Sequence, residues 1–161
     1  MLHDRRMTYI SPNPVYTAPA LTLAACSLTL RDPLSNLLVK EVALLRDCIA
    51  ISQTQWQFEI KAAAILPSEL QMLAVFDASE FGVKQALAII QSTFEMHASG
   101  CERSIWDGSA TVQVMDWSAM SLRSTFIESA PVRARLVKYP SEWRFSTAFR
   151  ADRAADTINV A

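Results

Sequence analysis

The sequence of 161 residues contains little glycine and histidine and no long apolar run. Its three glycines, Gly82, Gly100 and Gly108, lie far apart, so no glycine-rich phosphate-binding loop can form. His3 and His97 are the only histidines, which nearly excludes histidine-based catalytic triads and histidine-rich metal sites. No stretch of about 18 apolar residues is present, so we expect no membrane-spanning helix.

Cysteine is also scarce, and its spacing indicates neither a zinc ribbon nor a disulfide framework. Cys26, Cys48 and Cys101 form no C-x-x-C pair and leave an odd count. His97, Cys101 and Glu102 lie close in the chain, but zinc requires three or four ligands, and a capping role near a helix end is the favoured interpretation of His97. We therefore expect no metal, no cofactor and a reducing, cytoplasmic location.

The composition is that of an ordinary globular domain. Hydrophobic residues make up 51% of the chain and charged residues 19%, with a formal net charge of -1. Residues 1–20 hold Pro12, Pro14 and Pro19 without sustained periodicity, which predicts an extended N-terminal arm. Residues 21–161 are predicted to form a single α+β domain, long enough to bury a core without metals or disulfides.

Two amphipathic helices are the strongest local signals. The longer helix runs from Asp77, which can cap its first turn together with Glu80, to Gly100, which can supply a left-handed end. The other begins at Asp32-Pro33, a capping side chain before a proline, and continues to about residue 50. Apolar residues recur with a period of 3.6 in both helices, at Val83, Leu87, Ile90 and Phe94 and at Leu34, Leu37, Leu38, Val42, Leu45 and Ile49.

Three segments outside these helices are candidates for strands. Leu21–Leu30 is mostly apolar, and Gln55–Lys61 alternates apolar with polar side chains. Leu70–Phe76 fits either a buried strand or one short helix, because periodicity alone does not separate the two.

The period changes to two after Gly100, which predicts that the last part of the chain is rich in strands. Asp107-Gly108 suits a tight hairpin turn between Ile105-Trp106 and Ala110–Met115. Further strands are predicted at Met120–Ile127, Val132–Val137 and Trp143–Phe145. The expected fold class is α+β, with a mostly antiparallel sheet that forms a C-terminal meander and two long helices packed on one face.

Positive charge is concentrated towards the C-terminus. Residues 1–116 carry eight Lys/Arg and twelve Asp/Glu, whereas residues 117–161 carry seven and four. One face of the predicted sheet could gather five cations with two aromatic side chains for stacking: Arg123, Arg133, Arg135, Lys138 and Arg144, with Tyr139 and Trp143. Glu128 and Glu142 interrupt this run, the net charge is negative, and no nucleic-acid motif accompanies it. We therefore favour a solvated face and expect no nucleic-acid partner.

Two aspartates next to tryptophans are candidates for acid catalysis. Asp107 follows Trp106 and Asp116 precedes Trp117, and a carboxylate against an indole can act as a general acid. A turn explains Asp107 and the end of a strand explains Asp116, so we assign no catalytic residue.

The run Leu23-Ala24-Ala25-Cys26, followed by Ser27, resembles the lipobox of bacterial lipoproteins. The resemblance implies a lipid anchor on Cys26 after cleavage of a signal peptide, with Arg5 and Arg6 as its positive region. Three prolines and several polar residues interrupt the apolar stretch that such a peptide needs. The alternative is that this segment is a strand.

Two families resemble the chain on a larger scale. Gly108–Val114, together with the run from Arg135 to Phe145, resembles the last strands of NTF2-like domains, a family that includes enzymes, binding pockets and adaptors. The alternation of helix, strands, long helix and strands is similar to that of class I type III secretion chaperones, which are small dimeric α+β proteins.

The lack of catalytic and cofactor motifs, with high apolar content, favours a non-enzymatic bacterial protein that acts by protein–protein contact, as an assembly factor, adaptor or chaperone. We expect a protein partner or self-association, through the arm or an exposed sheet edge. One alternative is an NTF2-like pocket, between the long helix and the sheet, that binds or transforms a small apolar molecule. A further alternative is a small lipoprotein anchored at Cys26. The candidate interaction or pocket residues are Phe94, Val114, Trp117, Leu122 and Trp143.

Overall fold

One antiparallel sheet of four strands organises the fold, in the order β2-β3-β1-β4. The structure is a computed structural model, and it describes residues 21–98 and 104–152. The central strand β1 pairs with β3 over its whole length, from Leu21 opposite Asp77 to Thr29 opposite Glu69. The strands are β1 (Leu21–Thr29), β2 (Phe58–Ile65), β3 (Glu69–Asp77) and β4 (Thr111–Val114).

Helices lie on both faces of this sheet. They are α1 (Leu37–Lys40), α2 (Val42–Trp56), α3 (Glu80–His97), α4 (Met120–Glu128) and α5 (Ala130–Arg133). Two 3-10 turns, at Trp117–Ala119 and Pro140–Glu142, and a helical segment at residues 147–152 complete the described chain.

The two long helices, α2 and α3, cover one face of the sheet. Side chains alternate across a strand, so the even-numbered residues of β1 and β3 point to this face, where Ala24, Leu28 and Met72 are fully buried. Ser52 of α2 donates a hydrogen bond from its Oγ to the carbonyl oxygen of Ala86 in α3, at 2.7 Å. The apolar stripe predicted for α3 meets the sheet and is buried at Val83, Leu87, Ile90 and Phe94.

A shorter helical layer covers part of the opposite face. Leu23 of β1, Leu73 of β3 and Ala62 of β2 form a small apolar patch there. Ile127 of α4 and Ala130 of α5 pack on this patch and are 2% and 3% exposed. Because α4 contains only nine residues, it covers part of this face, and within residues 21–98 and 104–152 no helix other than α4 and α5 contributes to the patch.

The predicted α+β class and mostly antiparallel sheet are confirmed, but the predicted C-terminal meander is wrong. In the described part of residues 103–147, β4 is the only strand of the sheet, and residues 120–133 are largely helical. Leu122 and Phe126 have the spacing of one strand face, yet both are exposed, and Ile127 makes the contact with the sheet. A run of seven residues fits a period of 2 and a period of 3.6, so its burial decided between them.

Of the two segments that resemble the last strands of NTF2-like domains, Gly108–Val114 contains a strand, β4, and the run from Arg135 to Phe145 does not. That run contains the turn at Pro140–Glu142. It meets β2 only at its end, where the N–H of Ile65 donates to the carbonyl oxygen of Phe145 and Ser146 forms an isolated bridge to Ala64.

The Asp107-Gly108 pair does not form the predicted hairpin. Trp106 on one side bridges Leu30, and Thr111 on the other side pairs with Ser27, so both flanks are antiparallel to β1 and not to each other. The residues between them form a bulge along one sheet edge, in which Gly108 takes a φ of +75° that suits glycine.

Cys26 is a core residue, which overturns its predicted use as a lipid anchor. It lies in the middle of β1, opposite Met72 of β3 and Val112 of β4, and is 3% exposed. Burial raises the pKa of its thiol to about 12. No described helix is long and apolar enough to cross a membrane. The predicted arm, residues 1–20, lies outside the described residues.

Candidate nucleic-acid interface

A cleft of about 290 Å³ lies on the partly uncovered face, between α4 and the strands β3, β1 and β4. We call it the α4 cleft. Its lining residues are Ala25, Cys26, Ser27, Glu69, Gln71, Thr111, Val112, Gln113, Arg123, Phe126 and Ile127.

Strand register places polar side chains together on the floor of the α4 cleft. Ser27 of β1 lies opposite Gln71 of β3 on one side and opposite Thr111 of β4 on the other. Glu69 lies two residues before Gln71 in β3, and Gln113 lies two residues after Thr111 in β4, so both point to the same face as Ser27. This face thus changes from apolar, under α4, to polar where α4 leaves it open.

Among the described residues, only some of the polar groups on this floor have hydrogen-bond partners. The Oγ of Ser27 donates a hydrogen bond to Oε2 of Glu69 at 2.8 Å, and Nη2 of Arg123 donates to Oε1 of Gln113 at 3.1 Å. Within the part of the chain that the structure describes, Oε1 of Glu69 and the side-chain amide of Gln71 have no hydrogen-bond partner. The floor therefore offers donors and acceptors to a bound molecule.

Arg123 and Phe126 line the α4 cleft from the side of α4, and Arg133 lies over the ring of Phe126 beside this lining. We call these three residues the arginine wall. Phe126 is 50% exposed, and the guanidinium carbons of Arg133 and Arg123 lie 3.7 and 5.5 Å from its ring centroid. Nη1 of Arg133 also donates a hydrogen bond to the carbonyl oxygen of Phe126 at 2.7 Å. Neither guanidinium forms an ion pair with a carboxylate of the described residues. The wall therefore carries positive charge that no described carboxylate neutralises by an ion pair.

The basic run continues past α5. Arg135 is exposed and has a φ of +62°, a left-handed conformation that strains any residue except glycine. The backbone N–H of Leu136 donates to the carbonyl oxygen of Pro131 at 2.9 Å and closes the turn. Lys138 then lies 5.9 Å from the ring centroid of Tyr139, which is 58% exposed.

Two carboxylates that seemed to interrupt this basic run are engaged elsewhere. Oε1 of Glu142 accepts hydrogen bonds from the backbone N–H groups of Lys138 and Tyr139, at 3.0 and 2.9 Å. Oε2 of Glu128 accepts a hydrogen bond from the hydroxyl of Thr147. Neither pairs with an arginine of the wall, so the sequence overstated their effect.

A second cluster of arginines lies at the β2 end of the sheet. The guanidinium carbons of Arg46 and Arg144 are 5.9 and 5.4 Å from the ring centroid of Phe145. Arg46 and Arg150 also line a cavity of about 300 Å³. Partial burial lowers the pKa of Arg46, and the positive charges of Arg150 and Arg144 lower it further. The three like charges repel one another, which favours an anion between them.

The residues predicted from the sequence do not form one group. Phe94 is fully buried on the helix-covered face, and its ring centroid lies 5.7 Å from that of Trp106. Val114, Trp117 and Leu122 are 49%, 46% and 79% exposed, and belong to β4, the following turn and α4.

Trp143 is at the end of the molecule that holds the second arginine cluster. Its Nε1 donates to the carbonyl oxygen of Ile65 at 2.8 Å, and its ring packs edge-on against Phe145. Trp143 therefore anchors the C-terminal segment to β2.

Sequence reasoning did not identify the floor of the α4 cleft. The available signal was the alternation of Glu69 and Gln71 with the buried Leu70 and Met72 in β3, which marks a strand with one polar face. That signal does not tell which other strands place their polar residues beside it.

The described residues contain no group of three or more His, Cys, Asp or Glu side chains that could hold a metal ion. His97 lies at the end of α3 with its Nδ1 3.0 Å from the carbonyl oxygen of Thr93. Its proposed companions, Cys101 and Glu102, lie outside the described residues. The side chains that line the α4 cleft offer hydrogen bonding, stacking and positive charge.

Similar proteins are found among solved structures only. No family model matches the chain, and no curated protein matches it either. The fold is similar to that of a REP-associated tyrosine transposase bound to a REP hairpin, with a TM-score of 0.73 and 22% identity over 80% of this chain and 78% of that one. A putative transposase from Deinococcus radiodurans R1 matches with a TM-score of 0.42 and 19% identity, over 71% of this chain and 92% of that one.

The first of these structures contradicts the function expected from the sequence. The chain shares its fold with a solved transposase. The prediction of an adaptor, chaperone or assembly factor is therefore wrong. The expectation that nucleic acid is not a partner is also wrong, since the neighbour of the same fold is bound to a hairpin.

Proposed function

We propose that the protein binds structured DNA, with the α4 cleft and its arginine wall as the binding surface. The observation that carries the proposal is the pair Arg123 and Arg133, which flank the half-exposed ring of Phe126 and have no carboxylate partner among the described residues. The shared fold with a transposase bound to a REP hairpin supports the proposal.

The chemistry of the wall suits a nucleic-acid strand. Guanidinium groups bind phosphate oxygens through charge-assisted, often bidentate hydrogen bonds. An exposed aromatic ring and the flat face of an arginine both stack on bases. Arg133 combines these roles, because it already lies over the ring of Phe126 with one N–H group bonded to the backbone.

DNA binding would also give the strained backbone at Arg135 a role. A left-handed conformation in a residue other than glycine costs about 1 to 2 kcal/mol, and such strain is concentrated at functional sites. Arg135 follows the wall closely in the chain and is exposed. Its guanidinium would extend the positive surface along the DNA backbone.

The test is a titration of a fluorescently labelled DNA hairpin with short unpaired flanks, followed by anisotropy at several salt concentrations. We expect Arg123→Gln/Arg133→Gln to weaken binding about tenfold or more, because two charged contacts are lost. The slope of log affinity against log salt should also fall, by about 0.7 to 0.9 for each phosphate contact removed.

A matched control is Lys40→Gln/Lys84→Gln, which removes two positive charges from exposed sites on α1 and α3. We expect this variant to bind the hairpin within about twofold of the unchanged protein. Lys40 and Lys84 do not line the α4 cleft, so their removal changes only the long-range electrostatic attraction of the DNA. Failure of the unchanged protein to bind any hairpin, or equal losses in both double variants, would contradict the proposal.

A further inference from the structure

We infer that the α4 cleft receives a single unpaired base, with a preference for guanine, and that Glu69 and Gln71 read its edge. This inference rests on the proposed DNA-binding function and specifies which part of the DNA binds in the α4 cleft. It concerns the floor of the cleft, whereas the proposed function is carried by its arginine wall.

The charge pattern of the cleft separates the position of a base from that of a phosphate. Glu69 places a carboxylate on the floor, where it would repel a phosphate group. Arg123 lines the cleft on the side of α4, and Arg133 lies next to the lining over the ring of Phe126, where both would attract one. A nucleotide would therefore enter base first, with its phosphate held by the arginines.

The shape of the cleft favours an unpaired base over a duplex. Proteins read paired bases by inserting a helix or strand into a groove of the DNA. The α4 cleft is concave and is bounded by α4 on one side and by three strands on the other. A base that is splayed out of the stack can enter such a cleft and contact Phe126, which is how unpaired bases are commonly recognised.

The acceptor set on the floor favours guanine. An ionised carboxylate only accepts hydrogen bonds, and the Watson–Crick edge of guanine presents two adjacent donors, N1–H and the N2 amino group. Thymine presents one donor between two carbonyl acceptors. The hydrogen bond from Ser27 to Oε2 of Glu69 fixes the carboxylate and leaves Oε1 open, and the Gln71 amide can donate to the O6 acceptor of guanine.

The experiment compares hairpins that differ only in the two unpaired nucleotides on each side of the stem. These are guanine, hypoxanthine, adenine, cytosine, thymine or abasic sites, and binding is followed by anisotropy at one salt concentration. For the unchanged protein we expect guanine flanks to bind about tenfold more tightly than thymine flanks. Hypoxanthine, which lacks the N2 amino group, should be intermediate, and abasic flanks should bind no better than thymine.

Glu69→Gln keeps the shape of the side chain and should reduce the preference for guanine over thymine to about twofold or less, without changing the salt slope. Gln71→Ala gives a second variant, which should lower affinity for guanine flanks more than for thymine flanks. Glu59→Gln is the matched control, because Glu59 is an exposed carboxylate of β2 paired with Lys61. Thermal unfolding of each variant establishes that it is folded.

Three results would overturn the inference. Equal affinity for guanine, thymine and abasic flanks would remove the base-reading role and leave the proposed DNA binding intact. Tighter binding of every hairpin by Glu69→Gln would indicate that a phosphate occupies the floor. Absence of hairpin binding by the unchanged protein would overturn both this inference and the proposed function.

Discussion

At the scale of single residues, the hydrogen bonds of two glutamates leave the neighbouring arginines without carboxylate partners among the described residues. Glu128 and Glu142 lie within the basic run but accept hydrogen bonds from Thr147 and from two backbone N–H groups. The arginines beside them stay without ion pairs in the described structure. Arg135 adds a backbone conformation that glycine would adopt at lower cost.

At this scale, we predict that Arg135→Gly stabilises the fold while it weakens DNA binding. Glycine relieves the strain of a φ of +62° but is itself more flexible in the unfolded chain, so the free energy of unfolding should rise by at most about 1 kcal/mol. Hairpin affinity should fall a few-fold, because one positive charge is lost. Urea denaturation and anisotropy measure the two effects.

Arg135→Ala provides the control, since it removes the same charge and keeps the strained backbone. It should match Arg135→Gly in hairpin affinity and be less stable. A lower free energy of unfolding for Arg135→Gly than for the unchanged protein would contradict the role assigned to strain.

At the scale of secondary structure, the docking of α4 on the sheet determines the position of the α4 cleft. Its nine residues dock on the sheet through Ile127, and the neighbouring α5 docks through Ala130. The same helix directs Arg123 and Phe126 away from that contact and towards the cleft. A helix of this length is marginal by itself, so its position depends on tertiary packing.

We therefore predict that Ile127→Ala weakens both folding and DNA binding. Removing a buried isoleucine leaves a cavity and should lower the free energy of unfolding by about 2 to 4 kcal/mol. Loosened docking should also reduce hairpin affinity, because Arg123 and Phe126 lose their fixed position. Urea denaturation gives the first quantity and hairpin anisotropy gives the second.

Leu122→Ala is the matched control on the same helix, because Leu122 is 79% exposed. Its free energy of unfolding should stay within about 0.5 kcal/mol of the unchanged value. Equal effects of the two substitutions on stability would show that α4 does not dock through Ile127.

At the scale of the whole molecule, the two faces of the sheet differ, since one is buried in the main core and the other carries the polar α4 cleft. The face under α2 and α3 holds the main core, including Leu45, Met72 and Phe94, each fully buried. The other face carries a small apolar patch and the polar α4 cleft. At the β2 end, the cluster of Arg46, Arg144 and Arg150 brings α2 and the C-terminal segment together around Phe145.

This cluster should make the stability of the whole fold depend on the anion present. Positive charges on Arg150 and Arg144 lower the pKa of Arg46, so a divalent anion that binds among them would relieve their repulsion. With 100 mM sulfate and a dissociation constant near 10 mM, binding would add about 1.4 kcal/mol to the free energy of unfolding. Thermal unfolding in sulfate and in chloride of equal ionic strength measures the gain.

Arg150→Gln should reduce the specific gain from sulfate, while any general exclusion of sulfate from the surface acts on both proteins alike. Lys84→Gln removes one exposed positive charge from α3 and should keep the full gain. An identical sulfate effect in the unchanged protein and in Arg150→Gln would show that the cluster holds no anion.

The sequence alone was sufficient for the features that local patterns encode. The stripe of Val83, Leu87 and Ile90 predicted a helix that the structure places at Glu80–His97. Alternation and apolar runs indicated strands that correspond to β1 and β2, with boundaries shifted by a few residues, whereas Leu70–Phe76 fitted a strand or a short helix and is β3 in the structure. These signals lie within about ten neighbouring residues, so no distant contact is needed to interpret them.

Only the tertiary structure decided the character of residues 120–133 and the existence of the α4 cleft. A period of 2 and a period of 3.6 coincide over a short segment, and burial of Ile127 against the sheet selected the helix. The floor of the cleft unites Ser27 with Glu69, 42 residues later, and with Gln113 of a third strand. Strand order and register bring these side chains to one face, and both are settled by long-range packing that no local pattern specifies.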